Sequence, residues 1–211
     1  MKRVIPWLLG VLSLVLLTAC GQTVSDPKVD NWQKYQKEQS ITIGFDNTFV
    51  PMGFEQKDGS YAGFDIDLAK EVGKRMGVEV QFQPISWNAK EMELETGKVD
   101  CLWNGLSINN ERLAALYFAK PYLNNRQIVI VPEGSDIKTV ADLAGKKIGL
   151  QDGSTAMDAL ESSEVYTSGQ IKDEDITKLE ENVSVFNELK AGRIDAFIVD
   201  EAVGHYIMSH N

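Results

Sequence analysis

A glycine, a hydroxyl and a guanidinium lie close together near the middle of this 211-residue chain. The segment VDCLWNGLSINNER, residues 99–112, opens as a short apolar strand and then turns polar at Gly105, Ser107, Asn109 and Asn110 before reaching Arg112. A planar guanidinium can grip a carboxylate through two parallel N–H bonds, and a hydroxyl and backbone amides can meet its remaining lone pairs. Arg112 with Ser107 and the backbone around Gly105 therefore reads as a place to hold a small carboxylate. The competing reading is a surface arginine at a helix start, paired with Glu111 or a neighbour.

The rest of the chain must position such a site. Its composition is that of a globular protein, 43% hydrophobic and 25% charged. The net charge is −10, with 31 acidic against 21 basic residues and no basic stripe, which argues against a nucleic-acid partner. Residues 1–20, MKRVIPWLLGVLSLVLLTAC, carry Lys2 and Arg3 ahead of a short apolar run and read as an export signal. Leu17-Thr18-Ala19-Cys20 resembles the lipobox of bacterial lipoproteins, so the expectation is cleavage before Cys20 and a lipid anchor on it. That would place the protein outside the cytoplasm, held to the membrane surface; a plain signal peptide that happens to contain a cysteine is the alternative. Cys101, inside an apolar strand, is expected to be packed rather than reactive.

Residues 21–40 are polar and read as a tether with a short helix around Trp32 and Tyr35. From Ile41 strands and helices alternate. ITIGFD is a strand, and GFDIDLAKEVGKRMG a helix stopped by Gly77. VEVQFQPI is a strand, NAKEMELETGK a helix, VDCLWNG a strand and NNERLAAL a helix. This rhythm predicts a parallel sheet with helices on its faces. It restarts after the longer strand NRQIVIVPEG. TVADLAG is a short helix, KKIGL a strand, STAMDALES a helix with Ser154 and Thr155 suited to its N-cap, NVSVFNELKAG a helix and IDAFIVD a strand. The charged run KDEDITKLEEN reads as a solvated face. The fold class is α/β in two lobes, 41–125 and 126–211.

GFDIDLAKEVGKRM (63–76), TFVPMGF, QDGST, NNER and GRIDAFIVD resemble, in order and spacing, the solute-binding proteins of bacterial ABC transporters for polar amino acids. The resemblance runs from about Ile41 to the C-terminus. It implies a type II periplasmic-binding-protein fold, in which two lobes close on an amino acid and deliver it to a membrane permease. It implies that Arg112 grips the α-carboxylate with Ser107, Gly105 and Asn104. Gln151, Ser154 and Thr155 would donate from the second lobe, where a helix N-terminus also favours an anion. Asp200 would meet the α-ammonium, and Asp46, Phe49 and Trp87 would face the ligand. All of these sit at or just beyond predicted C-terminal strand ends, where open α/β sheets bind ligands. No cofactor and no metal is implied.

Other readings stand beside these roles. Asp200 could cap the following helix, Asp46 could be a turn residue with Asn47, and Phe49 and Trp87 could be core, as Trp103 is expected to be. The chain departs from the family at PMGF, at Lys120 before Pro121, and at SWNAKEMELETG, which brings Lys90 and Glu91 towards the pocket. The family's chain returns to the first lobe, whereas this one ends at GHYIMSHN, so a truncated form with exposed first-lobe apolar surface is expected. Two other functions share the fold. One is a dehydratase acting on a cyclic amino-acid precursor, for which Glu91 is the acid–base candidate; the other is a sensory domain. With Asp46 beside aromatic walls, both a glutamine-like and an arginine-like ligand fit.

Overall fold

The computed structural model describes residues 30–210. The export signal and the lipobox Cys20 lie outside the described residues. The elements in chain order are α1 (Trp32–Glu38), β1 (Ser40–Phe45), β2 (Thr48–Phe49), β3 (Gly53–Glu55), β4 (Tyr61–Ala62), α2 (Phe64–Met76), β5 (Glu79–Pro84), α3 (Lys90–Glu95), β6 (Cys101–Leu102) and α4 (Asn110–Ala115). They continue with β7 (Gln127–Ile130), β8 (Ile148–Gln151), α5 (Ala156–Glu161), α6 (Glu164–Thr167), β9 (Ile176–Leu179), α7 (Asn182–Lys190), β10 (Ala196–Asp200) and α8 (Glu201–Ser209). Among the described residues no helix is long and apolar enough to cross a membrane.

The first lobe is built on a parallel sheet in the order β5-β1-β6. Its core gathers Ile43, Phe45, Ile66, Ala69 and Val99, with the Phe45 ring edge-on to Tyr61 at 4.9 Å and to Phe82 at 5.8 Å. A small antiparallel sheet, β2-β3-β4, lies between β1 and α2. The reading from sequence has no element there, because its strands are two or three residues long. The entry to α2 is tight: Gly63 has φ +127°, and a Cβ there would sit 2.3 Å from the Met52 carbonyl oxygen. Only glycine fits both the angle and the approach.

The second lobe has the order β7-β10-β8-β9. Its β8, β9 and β10 are parallel as expected, but β7 runs antiparallel to β10. The alternation of strand and helix does not reveal this, because β7 is reached directly from the first lobe without a crossover helix of its own. The run KDEDITKLEEN also departs from expectation. Ile176–Leu179 within it forms the edge strand β9, half-buried because one side of an edge strand stays open to water. TVADLAG folds as a 3-10 turn, Val140–Leu143, closed by reciprocal bonds between Thr139 and Asp142. The charged helix 88–97 begins as a 3-10 turn, Trp87–Ala89, before α3.

Every residue of β10 is buried and its side chains alternate between two cores. Phe197 and Val199 join Val185, Leu189, Val203 and Ile207 beneath α7 and α8. Ala196 and Ile198 join Leu143, Leu150, Leu160 and Val165 beneath α5 and α6. The first of these cores also takes in Phe49 and Met52 from the first lobe, so the lobes meet through packed apolar side chains. The sheets thereby point the C-terminal ends of β1, β6, β8 and β10 at one another.

Candidate functional site

At that meeting of strand ends lies a narrow cavity of about 10 Å³, closed down by its walls. Its lining is Phe49, Trp87, Gly105, Ser107 and Arg112 from the first lobe, and Gln151, Ser154, Thr155 and Asp200 from the second. Residues separated by up to 151 positions in sequence thus share one wall-to-wall space. Of the residues expected to hold a ligand, Asp46 and Asn104 do not line it.

Arg112 sits in the single-turn helix α4, whose N-cap Asn109 accepts the Arg112 backbone N–H at 2.8 Å. Its side chain is buried, contrary to a surface reading. Nη1 donates to the Ser107 carbonyl at 2.8 Å and Nη2 to the Gly153 carbonyl, across the lobe boundary, at 2.9 Å. A guanidinium has five N–H groups, so three remain for a carboxylate in the cavity. Glu91 lies 3.8 Å from Nε and 3.2 Å from the Lys90 ammonium. It borders an adjoining outer groove with Asn88, Lys90, Asp152 and Asp158 and is not among the residues lining the cavity.

Asp200 ends β10 and holds the N-cap position of α8, but its side chain makes no capping bond. Its Oδ1 accepts from Gln127 at 2.9 Å and from Asn125. Burial pushes its carboxyl above the usual range, and the two amide donors oppose that rise. Asn125 also donates to the Ser107 hydroxyl at 3.1 Å, and Gln127 to the Thr155 hydroxyl at 3.1 Å. Asn125 and Gln127 are the residues the sequence reading missed. They belong to the segment that crosses between lobes, and a glutamine opening an apolar strand was the only local signal.

Gln151, expected as a ligand donor, is instead committed to protein partners. Nε2 donates to Asp46 Oδ2 at 2.7 Å and to the Glu180 carbonyl at 2.9 Å, and Oε1 accepts from Asn182 at 2.9 Å. Asp46 Oδ1 accepts from the backbone and hydroxyl of Thr48 at 2.8 and 2.6 Å, as in an Asx turn. Gln151 and Asp46 thus clasp the lobes behind the cavity. Asn104 is fully buried, with both amide atoms unpartnered beneath the Gly105 turn. Thr155 occupies the N-cap of α5 without a side-chain cap, while Ser154 Oγ accepts from the Ala156 amide at 3.3 Å. With six residues, α5 carries only a small dipole, so its N-terminus adds less than expected.

The aromatic walls are paired. Phe49 and Trp87 are near parallel, 12° apart, with ring centroids separated by 6.5 Å. Cys101 is shielded within β6, and burial pushes its thiol to about 12, so it stays protonated. Below the Gly105 turn, Asp65 of α2 accepts the Tyr122 hydroxyl at 2.7 Å, and burial raises its carboxyl to about 6. A raised folded-state pKa stabilises the fold below the unfolded value of 3.8, and that contribution is lost as pH rises through about 6. The unfolding free energy of the wild type relative to Asp65→Asn is therefore expected to rise by about 1 kcal/mol on going from pH 7 to pH 5. Urea melts at the two pH values check this, and an unchanged difference would refute it.

Comparisons with known proteins agree with this architecture. The model of the bacterial extracellular solute-binding proteins, family 3, matches residues 41–191. An L-cystine-binding protein of Escherichia coli (strain K12) is 29% identical over 92% of this chain and 70% of its own length. A substrate-binding protein of an ABC uptake transporter from Streptococcus pneumoniae, solved with bound histidine, is 40% identical with a TM-score of 0.78, over 85% of this chain and 73% of its own. An ancestral amino acid-binding protein described as a precursor of cyclohexadienyl dehydratase is 32% identical with a TM-score of 0.78, over 85% of this chain and 78% of its own. Two lobes with facing strand ends, and a family match over most of the folded region, lead to one conclusion: this chain belongs to the bacterial extracellular solute-binding proteins, family 3.

Proposed function

We propose that the protein is the extracytoplasmic receptor of an ABC transporter, anchored by a lipid on Cys20, that captures a polar amino acid and delivers it to the permease. One observation carries the reading: Arg112 from the first lobe and Asp200 from the second border a single cavity. A cation and an anion so placed suit the carboxylate and ammonium of an α-amino acid. Ser107 and Thr155 supply further polar contacts. The near-parallel Phe49 and Trp87 rings, with centroids 6.5 Å apart, suit a flat side-chain group lying against them, such as a carboxamide, an imidazole or a guanidinium. The relatives that bind histidine and L-cystine support a polar amino acid as the ligand class.

The lobes are in direct contact around the cavity, so a ligand enters when they part and is enclosed when they meet. Thermal melts of the protein against each of the twenty amino acids test the reading. A ligand that binds only the native state raises Tm by mass action. We expect a concentration-dependent rise with one or a few polar amino acids, and melts indifferent to all twenty would sink the proposal.

A further inference from the structure

Lys90 is a cation that this site does not use for its ligand. It opens α3, and it is only 3% exposed. Its Nζ donates to the Trp87 carbonyl at 3.1 Å, pairs with Glu91 at 3.2 Å and lies 5.2 Å from the Trp87 ring centroid. All of these partners belong to the first lobe. The remaining bond crosses to the second lobe, to the Gly153 carbonyl at 2.9 Å. Arg112 donates to the same oxygen, so both lone pairs of that carbonyl are filled by first-lobe cations.

The approach is close. Gly153 has φ +68°, and a Cβ there would sit 3.0 Å from the Asn88 Cα and 3.3 Å from the Lys90 ammonium. Gly153 immediately precedes Ser154 and Thr155, which line the cavity, whereas Lys90 does not line it. Other bonds cross nearby, Asn88 to Asp152 at 3.2 Å and Asn109 to Asp158 at 2.7 Å, but both are exposed and exchange readily with bonds to water. The Lys90 bond is charge-assisted and its donor is buried, so it discriminates between open and closed lobes more strongly than these two, beside the Arg112–Gly153 bond and the buried Gln151–Asp46 bond.

We propose that Lys90 is a closure latch, a positioning residue that holds the second lobe's Gly153 carbonyl and so sets the affinity for every ligand without reading its side chain. The proposal rests on the receptor reading above and adds to it. When the lobes part, Lys90 keeps its first-lobe partners and loses its second-lobe ones, the Gly153 carbonyl and the attraction of Asp152. Its interaction free energy therefore differs between the two states, which is what shifts a population. A ligand that needs both lobes binds with an affinity scaled by the closed fraction, so loosening the latch weakens all ligands by one factor.

The test compares wild type with Lys90→Met, which keeps the apolar stem. Hydrogen exchange of the unliganded proteins should show faster exchange at residues 151–157 and 88–91, with β1 and β8 unchanged. Calorimetry across the amino acid panel should show affinities lowered by about tenfold for each binder, in unchanged rank order. Lys90→Gln, which keeps one N–H donor, should fall between the two and carries the comparison should Lys90→Met fail to fold. Unchanged exchange at 151–157 would overturn the latch, as would protection lost throughout the first-lobe core or an affinity loss confined to one ligand class. A wild type that binds none of the twenty overturns the receptor reading instead, and the exchange data still decide the latch.

Discussion

Arg112→Ala should lower amino acid affinity by about a thousandfold, corresponding to about 4 kcal/mol. The guanidinium would donate to both carboxylate oxygens, and hydrogen bonds to charged groups contribute about 1.5–3 kcal/mol each. The same substitution also deletes the bond from Nη2 to the second lobe's Gly153 carbonyl, which helps hold the lobes together. Both losses fall on the liganded, closed state. Arg112→Lys separates them from charge alone. It keeps a cation but replaces the rigid fork by a single point, so its affinity should lie between those of the wild type and Arg112→Ala. Calorimetry with the ligand found in the melts measures all three. An Arg112→Ala affinity within tenfold of wild type would remove Arg112 from the carboxylate site.

Asp200→Asn is expected to weaken binding by about a hundredfold, within the range of about 2–5 kcal/mol for breaking a buried charge pair. The exchange is nearly isosteric. An asparagine Oδ1 can still accept from Asn125 and Gln127, so the neighbouring bonds survive while the charge that meets the ammonium disappears. Acidity offers an independent reading of the same residue. Burial raises the Asp200 carboxyl, and its protonated form cannot pair with an ammonium. Wild-type affinity should therefore fall as pH drops through that raised pKa, and the Asp200→Asn variant should lack this limb. A pH profile shared by both proteins would place the ammonium elsewhere.

Much of this arrangement was legible before any coordinates. The spacing of Ile66, Leu68, Ala69, Val72 and Met76 marks α2, the apolar run Ala196–Val199 marks a strand, and Arg112 and Asp200, just beyond strand ends, meet in one cavity. Local pattern is enough for these because each element's own period reports its buried face. What it does not report is a partner far away in sequence. Gln151 looked like a ligand donor until its 105-residue-distant neighbour Asp46 occupied it. Lys90 reads as turned towards the pocket, but it does not line the cavity and instead bonds the Gly153 carbonyl 63 residues on. Ile176–Leu179 was hidden among acids and lysines because an edge strand needs only one apolar side. The direction of β7 depends on where the chain enters the second lobe, which no periodicity records.

That reversed strand has a practical consequence for anyone turning the protein into a biosensor. Because β7 runs against its neighbour β10, its beginning rather than its end reaches the cavity, bringing Asn125 and Gln127 to Asp200. The interlobe crossing is thus both tether and wall. A fluorescent domain spliced in between residues 122 and 126 would disturb the ammonium subsite along with the hinge, and its signal would mix occupancy with damage. The turn at 133–136, past the far end of the same strand, is exposed apart from the half-buried Ser135 and lies beyond the cavity, so a reporter there would leave the ligand's contacts intact.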